Sequence, residues 1–452
     1  MNHKTRFAPS PTGLIHIGNA RTALFNALSA YKGVFLLRIE NTDLERSKDT
    51  YIQQLKLDLK SLGLLWQQEE KQSDRFDIYA KYYQQLEQQD LAYPCFCTPE
   101  ELALSRKLQR ASGKAPRYAG TCTHLSEAET AAKLDKGLKP TLRFRVPRGQ
   151  NVEFNDLVRG TQQFASYDLG DFIIRRADGT PAFFFCNAVD DALMEVSHVF
   201  RGEDHLTNTP RQILILQALN LPIPEYGHIS LILGNDGLPL SKRNGSQNIQ
   251  GMINDGWLAT ALVNYLARLG HTYTDDNLLS LEQLAEQFSI ERLGRAPARF
   301  DEQQLRHWQQ SAIIKASTEE LWQWMGEQVH QLVPETARDE FINAIRPNIT
   351  FPKQAVEWAN TLFIDEIVRQ PEAQTVIDNT EKKFFNHAIT ALEASQGDYK
   401  ELIKQLKQTS GAKGKKLFMP LRAALTGATH GPELASLLSL MGTELAKMRL
   451  RF

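Results

Sequence analysis

Two apolar periods alternate over the first ninety residues, and that alternation limits the fold more than any other feature of the chain. The segment KTRFA from Lys4 and the run Gly33–Glu40 are short and apolar enough for buried strands. Residues 18–31 and 48–63 instead carry apolar side chains at helical spacing, with Leu55, Leu59 and Leu62 on one face. Strand, helix, strand, helix in that order predicts parallel strands joined by crossover helices. From Cys95 to about Gln163 the pattern breaks into a basic stretch with Gly and Pro. Strand-like segments return in FIIRR, AFFFCNAV and EVSHVFRG, then a helix over 209–219 and a strand around HISLILG. This predicts one α/β domain interrupted by an inserted module. From Leu258 onward nearly every segment has helical spacing.

A length of 452 residues suits about three domains. Apolar residues at 42% and charged residues at 23% fit a globular chain and exclude disorder and collagen-like repeats. No apolar run approaches the roughly 18 residues of a membrane span. The N-terminal segment has no signal-peptide character, and four cysteines are too few for a disulfide framework. The expected location is cytoplasmic.

Two segments carry chemistry. In residues 9–25, two prolines and Gly13 turn the chain sharply after a strand, and His16-Ile-Gly-Asn19 opens a helix. Unpaired N–H groups at a helix start suit phosphate, Gly18 lets a nucleotide approach the backbone, and His16 and Asn19 can donate to phosphoryl oxygens. More than 200 residues later, Gly237 and Gly245 bracket Ser241, Lys242 and Arg243, placing two cations on one loop. Lys242 suits triphosphate charge as a point cation. Each segment alone also fits a plain capped helix or a solvated basic turn.

Together the two resemble the paired signatures of class I aminoacyl-tRNA synthetases. RFAPSPTGLIHIGNARTALFN, RIENTDLERS, IIRRADG, VFRGEDHLTNTPRQ, LSKRNG and GKKLFMPLRAALTGATHGPEL, running in order from Lys4 almost to the last residue, resemble bacterial glutamyl-tRNA synthetases. The resemblance implies an α/β fold: a Rossmann-type parallel-sheet nucleotide-binding domain, an inserted zinc-containing acceptor-binding module, and all-α C-terminal anticodon-binding domains. It divides the chain into catalytic halves at 1–90 and 166–245 around a module at 91–165. A helical stem-contact domain follows at 246–305, then anticodon-binding subdomains at 306–380 and 381–452.

The implied reaction joins glutamate to the α-phosphate of ATP, accompanied by Mg²⁺, and passes the glutamyl group to the 3′ end of tRNA. A carboxylate nucleophile needs no general base, so positioning and charge neutralisation carry the chemistry. The resemblance assigns catalysis to His16, Asn19, Lys242 and Arg243, and ATP binding to Pro9, Gly18, His16 and Lys242. Glutamate has two carboxylates and an ammonium. By resemblance Arg6 meets the side-chain carboxylate, Arg201 the α-carboxylate and Glu40 the ammonium, with Ser10, Phe183 and Asn187 beside them. Three positions depart from the family pattern: Phe183 stands where Tyr is usual, Pro239 replaces a Lys and Asn244 a His. Phe183 forgoes a hydrogen bond of roughly 1.5–3 kcal/mol if charge-assisted.

Cys95, Cys97, Cys122 and His124 form two short-spaced pairs with 24 residues between them, a set suited to structural zinc. The same arrangement resembles that of zinc-containing bacterial glutamyl-tRNA synthetases; Tyr118 is a substitute for His124, and Cys186 is expected in the core. Arg106, Lys107, Arg110, Lys114, Arg117, Arg143, Arg145 and Arg148 make the module basic, fitting either RNA phosphates or a solvated helix. The net charge of −1 hides a cancellation. Residues 301–380 hold six basic and thirteen acidic residues, whereas residues 381–452 hold twelve and six, pointing the last segment toward RNA. A monomer is the family expectation. The sequence leaves open whether glutamate tRNA alone or glutamine tRNA is also charged. The alternative is a catalytically impaired paralogue that regulates by binding RNA or nucleotide.

Overall fold

Lys4–Phe7 (β1), Val34–Ile39 (β2) and Gln68–Lys71 (β3) form a parallel sheet in the order β1-β2-β3, and the helices Ile17–Ser29 (α1) and Asp49–Ser61 (α2) are its crossovers. β2 is covered on both faces over almost its whole length, so it reads as an apolar run without alternation. The computed structural model describes residues 3–43, 45–234, 236–240 and 247–452. It divides into two compact units, residues 1–252 with 262–301, and residues 253–261 with 302–452.

In the first unit, Phe76–Gln88 (α3) leads into Ala92–Cys95 (β4), Pro99–Ala111 (α4) and Glu127–Asp135 (α5). Next come Thr141–Phe144 (β5) and a hairpin of Asn151–Asp156 (β6) and Gly160–Ala165 (β7), then Ser166–Leu169 (α6) and Phe172–Arg175 (β8). α4 and α5 each start with a reciprocal capping box, Thr98 with Glu101 and Ser126 with Glu129, yet bury no side chain. The FIIRR strand, β8, pairs antiparallel with β5, and β5 with β4, so it extends the inserted sheet rather than the parallel one.

The segment AFFFCNAV, expected as a strand, is the start of the helix Phe183–Leu193 (α7). An unbroken apolar run has no period to separate buried strand from buried helix. The residues that follow favour the helix. Asp190 accepts hydrogen bonds from Tyr79 at 2.7 Å and Arg75 at 2.7 Å, while its neighbour Asp191 accepts from Arg6 and Arg38. Cys186 lies in the core as expected.

His198–Gly202 (β9) and Glu225–Ile229 (β10) are parallel and linked by the helix Thr209–Leu219 (α8). β9 runs beside β1: Ser197 N–H donates to the Lys4 carbonyl at 3.0 Å, and Lys4 N–H donates to the Ser197 hydroxyl at 2.8 Å. The chain therefore builds β1, β2 and β3 outward to one side, then returns to place β9 and β10 on the other. HISLILG is split, its second part Ile232–Leu233 (β11) pairing with Ala298–Arg299 (β12).

The second unit is helical throughout its described residues from Glu302–Lys315 to Leu434–Arg449. TEELWQWMGEQVHQLV forms two helices, broken at Gly326, whose φ of 84° is left-handed. One apolar core joins Phe341, Ile345 and Leu362 to Leu402, Leu421 and Leu437. Among the described residues no helix is long and apolar enough to cross a membrane.

Candidate active site

The crevice at the carboxyl ends of β1 and β9 is where the strand order reverses, the place where open α/β sheets hold ligands. A cavity of about 560 Å³ opens there. Its walls include Arg6, Pro9, Ser10, His16, Gly18, Asn19, Glu40, Phe183, Asn187 and Arg201. All the residues that the sequence assigned to ATP or glutamate therefore meet in one cavity, except Lys242. Lys242, Arg243 and Asn244 lie outside the described residues. Pro239 is described and borders the same cavity.

His16 is the N-cap of α1, and its Nδ1 accepts the Gly18 N–H at 3.0 Å. In the neutral ring this leaves the proton on Nε2, as a donor. Gly18 is needed for this: a Cβ there would stand 2.9 Å from His16 Cε1. The glycine thus serves the histidine as well as the approach of a ligand.

Below lies a buried charge network. Arg6 Nε donates to Asp191 Oδ1 at 2.9 Å. Arg38, fully buried, donates to the same oxygen at 2.6 Å, to Asn187 Oδ1 at 3.0 Å and to Glu40 Oε1 at 3.4 Å. Burial pushes the Asp191 carboxyl up, but Arg38 and Arg6 outweigh that and hold it below the usual range. For Glu40 burial dominates, and its carboxyl is raised despite Arg38 and Arg6. Asn187 Nδ2 is buried and has no partner among the described residues.

Arg201 is pinned along one edge. Its Nε donates to His228 Nε2 at 3.2 Å, and one Nη donates to Thr209 at 2.8 Å and Gln212 at 2.6 Å. The other, Nη1, is buried without a partner among the described residues. Burial lowers its pKa to about 10, so it stays positive at neutral pH. Counted at formal charges, Arg6, Arg38 and Arg201 against Glu40 and Asp191 leave one positive charge, the complement of an amino acid with two carboxylates and one ammonium. Phe183 closes one side, its ring 5.3 Å from that of His205. Arg38, Asp191, Thr209, Gln212, His228 and Asp156 were not singled out in the sequence. Only the position of Arg38, two residues before Glu40 in a buried strand, hinted at a role.

The catalytic-domain model of class I tRNA synthetases for Glu and Gln matches residues 2–307, and an anticodon-binding domain model matches 316–452. A glutamate–tRNA ligase of Nitrosococcus oceani is 54% identical, over 99% of this chain and 97% of the relative. One from Coxiella burnetii is 51% identical, over 99% of both. The chain belongs to the glutamate–tRNA ligase family. A crystal structure of a glutamate tRNA ligase from Elizabethkingia meningosepticum in complex with its amino acid superposes with a TM-score of 0.91, at 27% identity, covering 100% of this chain and 98% of that one.

This glutamate–tRNA ligase family member also has a thiol cluster. The sulfurs of Cys95, Cys97 and Cys122 lie within 4.8 Å of one another. The fourth polar group is the Tyr118 hydroxyl, 3.3 Å from Cys95 Sγ and 3.5 Å from Cys97 Sγ. His124 is exposed and stands outside this cluster. Burial alone would raise the Cys95 thiol, but Tyr118 and Arg143 hold it down at about 7. Its neighbour Cys97 is pushed up, to about 11, by burial and the adjoining sulfurs. The three converging sulfurs are what fits a thiolate-binding cation. Among the described residues Tyr93, Cys95 and Cys122 are the only buried members of the local core, so a metal would supply the cohesion that α4 and α5 lack.

The basic residues of the module divide in two. Arg106, Lys107, Arg110, Lys114 and Arg148 are exposed. Arg143 is buried against the Tyr118 ring at 3.7 Å, Arg117 stacks on Tyr167 at 3.4 Å, and Arg145 pairs with Asp90 at 3.1 Å. Of these three, Arg143 packs within the module, while Arg117 and Arg145 tie it to the residues that flank it.

Proposed function

We propose that this chain activates L-glutamate with ATP to glutamyl-adenylate and transfers the glutamyl group to the 3′ end of tRNA. The observation that carries the reading is the single cavity joining a helix N-terminus, capped by His16, to a pocket with buried Arg6, Glu40 and Arg201. Arg201 Nη1 and Asn187 Nδ2, which have no partner among the described residues, are the donors that a bound carboxylate requires. Arg6 takes the side-chain carboxylate, Arg201 the α-carboxylate and Glu40 the ammonium, with Ser10, Phe183 and Asn187 completing the contacts. Pro9 and Gly18 line the nucleotide, while His16, Asn19, Lys242 and Arg243 stabilise charge on the transferring phosphate; Mg²⁺ accompanies ATP.

Zinc, held by Cys95, Cys97 and Cys122 with Tyr118 as the nearest fourth group and His124 as the alternative, would be structural. The exposed cations of residues 91–165 face the acceptor end of tRNA. Residues 246–305 meet its stem, and 306–380 with 381–452 its anticodon. The protein works in the cytoplasm as a monomer. Glutamate-dependent ATP–pyrophosphate exchange tests the reading, with activity expected only when tRNA is present. Absence of exchange with and without tRNA would sink it and restore the regulatory paralogue. Charging assays on separate glutamate and glutamine tRNA transcripts define the acceptor.

A further inference from the structure

Arg201 is held by a buried chain that begins in another part of the fold. Asp156 ends β6, in the inserted segment, and is 1% exposed; His228, on β10, is fully buried. Asp156 Oδ1 accepts three backbone N–H groups, Arg159 at 2.8 Å, Val158 at 3.0 Å and His228 at 3.2 Å. Its other oxygen, Oδ2, contacts His228 Nδ1 at 2.5 Å. With a carboxylate there, Nδ1 carries the ring proton and Nε2 presents a lone pair. That lone pair receives the Arg201 Nε–H at 3.2 Å and lies 3.0 Å from the Thr209 hydroxyl.

From this geometry we infer that Asp156 and His228 are positioning residues for glutamate binding: they fix the imidazole tautomer that holds the Arg201 guanidinium with Nη1 turned to the substrate. The inference rests on the reading of Arg201 as the α-carboxylate partner. The logic is that of a histidine whose tautomer is set by an aspartate behind it. Here the ring accepts from an arginine instead of activating a nucleophile. The three backbone donors make Asp156 specific. In Asp156→Asn the amide oxygen must stay with those N–H groups, so the NH₂ faces His228 Nδ1. The ring proton is then forced to Nε2, where it confronts the Arg201 Nε–H.

Exchange kinetics with the full-length protein, tRNA, ATP and glutamate test this. Asp156→Asn and His228→Asn should raise KM for glutamate roughly ten- to a hundredfold, the loss of one hydrogen bond to a charged group. KM for ATP should stay within about twofold and kcat should fall less than KM rises. His228→Gln puts an amide oxygen near the Nε2 position and should recover KM to within about fivefold of wild type. If Asp156→Asn is isolated unfolded, Thr209→Val, which removes the hydroxyl between Arg201 and His228, should raise KM for glutamate roughly three- to tenfold. An unchanged KM for glutamate in the folded variants, or an equal rise in KM for ATP, overturns the inference. Wild-type protein without exchange activity would instead overturn the functional reading beneath it.

Discussion

Two sets of cations in this molecule face anions in opposite ways. Arg6, Arg38 and Arg201 are buried and held by carboxylates, hydroxyls and amides. Lys382, Lys383, Lys400, Lys404, Lys407, Lys413, Lys415 and Lys416 are all exposed, and among the described residues only Lys404 is paired, with Glu401 at 3.0 Å. Removing a guanidinium from water is costly, so it persists only where partners fix its geometry. That geometry can then distinguish one amino acid from another. An exposed lysine costs little, is screened by salt and fixes no geometry, which suits attraction of a long polyanion. Equal charges thus suit different work: the buried set is built for selection, the exposed set for attraction.

The largest effect is expected where the buried set loses its anchor. Asp191→Asn leaves Arg6 and Arg38 buried without their shared carboxylate and should destabilise the first unit by about 3–5 kcal/mol in urea unfolding. The stability that Asp191 contributes is present above the unfolded carboxylate pKa and disappears as pH falls through its depressed folded value. A change below about 1 kcal/mol at neutral pH would break the comparison. Next, Arg201→Lys keeps the charge but loses the planar fork, and should raise KM for glutamate by roughly ten- to a hundredfold while leaving KM for tRNA unaltered.

A pH series on KM for glutamate sharpens the same point. Because burial raises the Glu40 carboxyl, the ammonium partner should be lost on acidification at a pH above the ordinary carboxylate range, with KM climbing as pH falls. Glu40→Gln should flatten that dependence. The smallest effects belong to the exposed set. Replacing Lys407, Lys413 and Lys415 together by Ala should lower the slope of log affinity for tRNA against log salt by roughly 0.7–0.9 per lost phosphate contact. Folding stability should stay within about 0.5 kcal/mol. A stability loss as large as that of Asp191→Asn would erase the distinction.

Much of this was legible without coordinates. The strand–helix alternation located β1, α1, β2 and α2, and helical spacing marked the second unit, because period reports directly which face is buried. AFFFCNAV escaped that rule because a segment buried all round has no polar face to set a period. The pocket residues on recognisable motifs, Arg6, His16, Glu40 and Arg201, all reached the cavity. Their supports did not announce themselves: Asp191 lies 185 positions from Arg6, and Asp156 lies 72 from His228.

The sequence by itself determined the order of the first four elements, the two chemical segments at the start of α1 and beyond β11, and the basic character of residues 381–452. Those properties depend on near neighbours along the chain and on composition. Only the tertiary structure decided which carboxylate holds which arginine, that Tyr118 rather than His124 stands among the thiols, and that Arg143 packs inward while Arg148 faces water. Partners for buried charges are chosen by packing across the fold, where distance along the chain carries no information and the cost of an unpaired charge does the selecting.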